Sequence, residues 1–117
     1  MKEYSRLSEI QKDLDGGELQ LKDLVSQYLS VIDTKADLNI FREVFRDEAL
    51  ARSEEIQSKI DSGTNGRLTG LVIALKDNIA YKGYKVSASS KILEGFESLY
   101  SSTVVENHLE KKNCSPL

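Results

Sequence analysis

The sequence predicts an α/β fold that is helical at its N-terminus and carries one buried strand. The first observation is an apolar run at residues 71–75 (LVIAL), which has no helical period and is too short to cross a membrane. The second is a series of amphipathic segments that precede this run. The third is the alternation of helical and extended segments along the chain. A strand that is apolar on both faces needs a covering layer on each side.

Size and composition fit a single globular domain. The chain has 117 residues, of which 39% are hydrophobic and 30% charged. A net charge of -3 gives no basic surplus for nucleic-acid or membrane binding. The single cysteine, Cys114, cannot form an internal disulfide, which fits a reducing cytoplasmic or organellar compartment. With one histidine and one cysteine, we expect no soft-metal site.

Helices are expected to dominate residues 1–35. Ser5 can cap a first helix that ends at Gly16 and Gly17. A second helix has the clearest period, and a third follows at residues 46–60. Their predicted core positions are Leu7, Ile10 and Leu14 in the first helix, Leu21, Leu24, Val25, Tyr28, Leu29 and Ile32 in the second, and Ala49, Leu50, Ser53, Ile56 and Ile60 in the third.

Residues 36–117 are expected to form the α/β part. Alternation at residues 38–45 predicts a short edge strand, and residues 79–86 predict a hairpin or sharp bend around Gly83. Apolar residues at 92–96 predict a brief packed segment. Thr103, with a glutamate three residues later, has the capping-box form and predicts a last helix packed through Val104, Val105 and Leu109.

Lys76 follows the buried strand directly, where a sheet ends and a cleft can begin. A lysine in that position is more often a solvated residue at a sheet edge. The functional interpretation depends on burial, which disfavours the charged ammonium and leaves an amine that can accept a proton. A lysine of that kind can activate a serine nucleophile.

Several separated motifs resemble one enzyme family. Residues 70–79 (GLVIALKDNI), followed by Gly83 and by residues 89–94 (SSKILE), are similar to the opening of the amidase signature family. Within that family, residues 90–96 and 100–106 resemble the A subunits of glutamyl-tRNA(Gln)/aspartyl-tRNA(Asn) amidotransferases. Residues 38–41 and 49–51 upstream resemble them as well, so the resemblance covers about residues 5–110.

The resemblance implies the N-terminal part of an α/β/α sandwich with a mixed sheet, and a Ser-Ser-Lys catalytic triad. Lys76 matches the family's lysine, which takes a proton through a bridging serine while a second serine attacks the carboxamide of glutamine. Asp77 and Asn78 would support the site by hydrogen bonds. In the family, ammonia passes to a complex with subunits B and C, which amidates mischarged tRNA with ATP and Mg²⁺.

Nothing in the chain matches the Gly/Ser-rich segment that carries the family's nucleophile. The serines at 87, 89, 90, 98, 101 and 102 lack that glycine-rich context. We therefore expect the 117-residue chain to be inactive by itself. Two alternatives stay open: a fragment of an amidase with a different substrate, and a non-catalytic remnant that self-associates through strand edges.

Overall fold

Three helices pack together in the N-terminal half of the chain. The computed structural model describes residues 2–111 and 115–116. Helix α1 spans Leu7–Asp15, α2 spans Leu21–Thr34, and α3 spans Arg46–Asp61. Their shared core confirms the predicted helical stripes except at Leu7, which is not part of it, and it adds Leu19 from the turn between α1 and α2. The buried core residues are Ile10, Leu14, Leu19, Leu21, Leu24, Val25, Leu29, Ala49 and Ile56.

Polar contacts fix how these helices meet. The side chain of Gln57 on α3 accepts a hydrogen bond from the backbone N–H of Leu21 at 2.9 Å, which satisfies a free amide at the start of α2. Lys22 and Glu54 form an ion pair at 2.5 Å between the same two helices. At the N-terminus, Asp13 accepts hydrogen bonds from Lys2 at 2.9 Å and from Tyr4 at 2.7 Å.

The apolar run forms a strand that is shorter than predicted. Strand β1 spans Val72–Ile73 rather than residues 71–75. It pairs in parallel with β2, Ser115–Pro116, so that Val72 lies opposite Ser115 and Ile73 opposite Pro116. A strand forms only where a neighbour supplies the ladder of backbone hydrogen bonds, and this ladder is two residues long.

Both faces of β1 are nevertheless covered, as the apolar run predicts. Val72 packs against the core of the N-terminal helices. Leu71, Ile73 and Leu75 pack on the opposite side, around Val105 and Leu109. The alternation follows from the two-residue period of an extended chain, and it places β1 between two helical layers.

The edge strand predicted at residues 38–45 is wrong. A short 3₁₀ helix spans Ala36–Leu38, and Asn39 follows with a left-handed φ of 51°. The partly buried residues of the segment are Phe41, Val44 and Phe45, whose spacing is not that of a strand. The segment therefore crosses the surface as an irregular loop.

Two predicted helix caps are also wrong. Arg6, not Ser5, is the residue that precedes α1, and it makes no side-chain cap. Helix α4 spans Thr103–Val105 and continues as a π-helix over Glu106–Lys111. Ser102, not Thr103, caps α4, with its side chain accepting a hydrogen bond from the Val105 N–H at 3.3 Å. Ser102 has the extended backbone that a cap residue needs.

The segment between β1 and α4 makes the predicted bend. Gly83 has a φ of 83°, and the N–H of Tyr84 donates to the carbonyl of Tyr81 at 3.0 Å. Residues 83–86 then run antiparallel to residues 96–98. The packed segment predicted at residues 92–96 is wrong, because Ile92 is 94% exposed and Phe96 47%. Val104 is also exposed, whereas Val105 and Leu109 are buried as predicted.

The sheet of the described residues is small. It consists of β1 and β2 alone and is parallel, so the mixed sheet remains an expectation for this chain. The helical N-terminus is confirmed. The division of the chain at residue 36 stays a prediction.

Candidate active site

Lys76 lies three residues after β1, at the beginning of a turn. Its carbonyl accepts a hydrogen bond from the N–H of Ile79 at 2.9 Å. The side chain is exposed, as is that of Ala74 two residues before it. The helical layers that cover β1 therefore do not reach Lys76, and the described residues do not supply the burial on which its functional interpretation depends.

Lys76 borders a cleft of about 500 Å³. The wall on one side comes from the loop before α3, through residues such as Phe41, Arg42 and Phe45. The rest of the lining comes from the segment after β1 and from three later positions or pairs: residues 75–77, Ile79, Tyr81, Lys85, Ser87, Glu94 and Gly95. The size of the cleft is ordinary for a small-molecule site.

Asp77 is the most heavily bonded residue of the site. Its carboxylate accepts a hydrogen bond from the hydroxyl of Ser87 and another, at 3.2 Å, from the N–H of Ser87. Its own carbonyl accepts from the N–H of Ala88 at 3.0 Å. Nε of Arg42 lies 3.8 Å from the same carboxylate. Asp77 thus connects the turn after β1 to residues 87–88 and to the loop before α3.

These contacts keep Asp77 ionised. The Ser87 hydroxyl bond holds the pKa of Asp77 below its usual range, against the opposing effect of partial burial. The backbone N–H groups of Ser87 and Ser89 and the charge of Arg42 act in the same direction as the hydroxyl. The carboxylate that follows Lys76 in the chain is therefore negative at neutral pH.

Asn78 is placed differently from Asp77. Its side chain is exposed. None of the residues in 2–111 and 115–116 forms a side-chain hydrogen bond with it. The three sequence-predicted site residues are thus adjacent in the chain, but only Asp77 is held by its side chain.

An aromatic cluster closes the cleft beside α3. The ring of Phe45 lies 5.6 Å from that of Tyr81 and 4.3 Å from that of Tyr84, and the two tyrosine rings are 4.6 Å apart. The Tyr81 hydroxyl donates to Glu48 of α3 at 3.1 Å. Burial raises the pKa of Tyr84 to about 12, with Glu48 acting in the same direction, and burial likewise raises the pKa of Tyr81.

Other candidate groups lie apart from this cleft or are used structurally. The Ser98 hydroxyl is buried and donates to the carbonyl of Tyr100 at 2.6 Å. His108 is on the π-helix, where its Nδ1 lies 2.9 Å from the carbonyl of Val104. Cys114 lies outside the described residues. Within the described part of the chain, no group of three or more histidine, cysteine or acidic side chains could hold a metal ion.

The same part of the chain has no helix with the length and apolar character needed to span a bilayer.

Comparison with known proteins identifies the family. A model of the family described as Amidase matches residues 23–114, which is most of the chain. This chain belongs to the amidase signature family. The matched range includes β1 and the turn that begins at Lys76.

Curated relatives include the A subunits of several amidotransferases. The A subunit of the glutamyl-tRNA(Gln) amidotransferase of Chlorobaculum tepidum is 45% identical over 105 residues, covering 89% of this amidase chain and 22% of the relative. The A subunit of the same name from Salinibacter ruber is 40% identical over 120 residues, covering 96% of this chain and 23% of the relative. The chain thus spans less than a quarter of the length of these relatives.

Solved structures show the same fold. A bacterial aryl acylamidase of the amidase signature family superposes with a TM-score of 0.85 at 18% identity, over 97% of this chain and 24% of that structure. Peptide amidase from Stenotrophomonas maltophilia superposes with a TM-score of 0.76 at 26% identity, again over 97% and 24%.

Sequence reasoning missed the residues that hold the candidate site together. It considered Ser87 only as a nucleophile, whereas the hydroxyl is a donor to Asp77. It placed Arg42 on an edge strand, whereas Arg42 lies in a loop beside Asp77. Neither pairing has a local sequence signal, because the partners are separated by 10 and 35 residues.

Proposed function

We propose that this chain forms the N-terminal part of the A subunit of a glutamine-hydrolysing amidotransferase. The observation that carries the proposal is the 45% identity, over 105 residues, to the A subunit of the Chlorobaculum tepidum glutamyl-tRNA(Gln) amidotransferase. The site geometry supports it, because Lys76 borders a cleft of about 500 Å³ and is accessible from it.

In this proposal Lys76 is the terminal proton acceptor of a Ser-Ser-Lys triad. The bridging serine gives its proton to the Lys76 amine as it takes one from the nucleophilic serine. That serine oxygen bonds to the carboxamide carbon of glutamine, and the C–N bond breaks as a proton returns to the departing ammonia. Water then hydrolyses the acyl-enzyme to glutamate. Both serines belong to the rest of the family's domain, so the 117-residue chain alone should not hydrolyse glutamine.

The same proposal assigns a role to the complex. Ammonia would pass to subunits B and C, which convert Glu-tRNA(Gln) or Asp-tRNA(Asn) to Gln-tRNA(Gln) or Asn-tRNA(Asn). ATP and Mg²⁺ would serve the partner subunit, and this chain would hold no cofactor. A cytoplasmic or organellar location follows from that role in protein biosynthesis.

A hybrid enzyme tests the proposal. The matching 105 residues of the Chlorobaculum tepidum protein are replaced by those of this chain, and glutamate release from glutamine is measured. We expect the hybrid that retains Lys76 to be active. Its Lys76→Ala variant should lose about 10²–10⁴-fold in kcat, the usual contribution of a proton-transfer group. Lys82→Ala is the matched control, since Lys82 is exposed nearby and does not line the cleft.

Two results would overturn the assignment. One is a folded hybrid, judged by circular dichroism and size, that hydrolyses no glutamine. The other is a Lys76→Ala hybrid as fast as its Lys82→Ala control.

A second candidate is hydrolysis of another amide. It is supported by the 26% identity and the TM-score of 0.76 to peptide amidase. The corresponding hybrid with peptide amidase discriminates between the two. Restored hydrolysis of peptide amides, with no activity in the glutamine-hydrolysing hybrid, would favour this candidate.

A further inference from the structure

The turn that carries Lys76 is attached to a second, unusual turn. Ala88 and Ser89 have positive φ values of 48° and 62°. Residues with a Cβ avoid this left-handed region, at a cost of about 1–2 kcal/mol each. Two in succession need an external interaction that holds them there.

Asp77 supplies that interaction. Its carboxylate accepts bonds from the hydroxyl and the N–H of Ser87, and its carbonyl accepts from the N–H of Ala88. The anion that Ser87 bonds is thus a side chain of the same protein.

The bonds to the side chain and the carbonyl of Asp77 hold the peptide unit that follows it. Lys76 is the preceding residue, and its carbonyl closes a turn with the N–H of Ile79 at 2.9 Å. The Lys76 side chain itself is exposed. Its position relative to the cleft therefore depends on its backbone rather than on contacts of its amine.

We propose that Asp77 and Ser87 are positioning residues that hold the backbone from which Lys76 projects into the cleft. Ser87 acts through its hydroxyl, and Asp77 acts through the carboxylate that Ser87 bonds and the carbonyl that Ala88 bonds. The catalytic part of this inference rests on the proposed function. The structural part does not.

The structural part is tested on the 117-residue chain by amide hydrogen exchange. In Asp77→Asn and Ser87→Ala, we expect the amides of residues 87 and 88 to exchange about tenfold faster or more, as loss of a charge-assisted hydrogen bond predicts. Ser87→Thr keeps a hydroxyl and should restore protection, and Lys76→Ala should leave it unchanged. Unchanged exchange in Asp77→Asn and Ser87→Ala would overturn the inference.

The catalytic part is tested in the glutamine-hydrolysing hybrid. Misplacing a reacting group by about 1 Å can cost 10²-fold, so Ser87→Ala should lower kcat by about that factor with KM within about twofold. Ser87→Thr should recover kcat. Full kcat in Ser87→Ala, with Lys76→Ala inactive, would overturn the positioning role and leave the proposed function standing. Full activity in Lys76→Ala would instead overturn the proposed function.

Discussion

A Cβ atom on Gly70 would lie 2.8 Å from Cγ2 of Ile10, so the backbone entering β1 lies directly on helix α1. It would also lie 3.0 Å from Cδ1 of Leu14, and both side chains are buried. Gly70 has a φ of 91°, in a region that side chains disfavour. This contact sets the distance between β1 and the N-terminal helices.

Gly70→Ala should therefore destabilise the chain strongly. We expect a loss of about 2–4 kcal/mol, from overpacking of the core together with backbone strain. Urea unfolding followed by circular dichroism measures it. Gly63→Ala is the control, because its φ is 73° but nothing lies within 4 Å of an added Cβ, so only strain of about 1 kcal/mol is expected. Equal losses in the two variants would contradict the close packing of Gly70 on α1.

A substitution in the strained turn at Ala88 should raise the free energy of unfolding, whereas Gly70→Ala lowers it. Ala88→Gly removes left-handed strain of about 1–2 kcal/mol and adds unfolded-state entropy of about 0.4–1 kcal/mol. The free energy of unfolding should rise by up to about 1.6 kcal/mol. Ala74 does not have a positive φ, so Ala74→Gly should destabilise instead. Destabilisation of similar size in both variants would show that Ala88 is not strained.

The sequence predicts elements whose pattern is local and misses those that depend on partners. Helix α2 follows from its own apolar period because one face is buried along its length. Residues 38–45 alternate in polarity but lie in no sheet, since nothing in the local pattern supplies a neighbouring strand. The exposure of Lys76 also depends on partners that are distant in sequence. It depends on where the layers around Val72 and Ile73 end, which the residues near Lys76 do not encode.

The residues of the candidate site could likewise be predicted only where they are adjacent in sequence. Lys76, Asp77 and Asn78 are found together because they are consecutive in one recognisable motif. Arg42, Ser87 and Glu48 come from three other segments, and only folding brings them to the cleft or its aromatic wall. A hydroxyl or a carboxylate at such a distance in sequence carries no sign of its partner.

Asp77 should make stability depend on pH at the acidic end. Its pKa is lowered in the folded chain, so its contribution is present above the unfolded pKa of about 3.9 and is lost as pH falls through the folded value. Comparing the free energies of unfolding of the native chain and Asp77→Asn isolates this contribution. We expect their difference to be largest above about pH 5 and to shrink on acidification. A difference that stays constant down to the acid transition would argue against an ionised, bonded Asp77.

Tyr84 should lose its proton at a higher pH than an ordinary tyrosine. Its pKa of about 12 lies above the ordinary value, because burial and the neighbouring Glu48 disfavour the phenolate. Its contribution to stability is therefore full below about pH 10 and is lost as pH rises through about 12. Tyrosinate absorbance of the folded chain should show a late step that Tyr84→Phe reduces. Glu48→Gln should move that step to lower pH. An unchanged titration in Glu48→Gln would contradict the role of Glu48.

The exposed apolar side chains after Gly83 should make the isolated chain self-associate. Ile92 is 94% exposed and Leu99 80%, and they lie in one segment with the exposed Phe96 and Tyr100. Several exposed apolar side chains in one short segment favour association in water. Sedimentation velocity over a concentration series should show species heavier than 13.1 kDa. The double variant Ile92→Lys/Leu99→Lys should shift the distribution to monomer, whereas Thr64→Lys, at an exposed polar position, should not. A wild-type chain that stays monomeric at every concentration would contradict association through this segment.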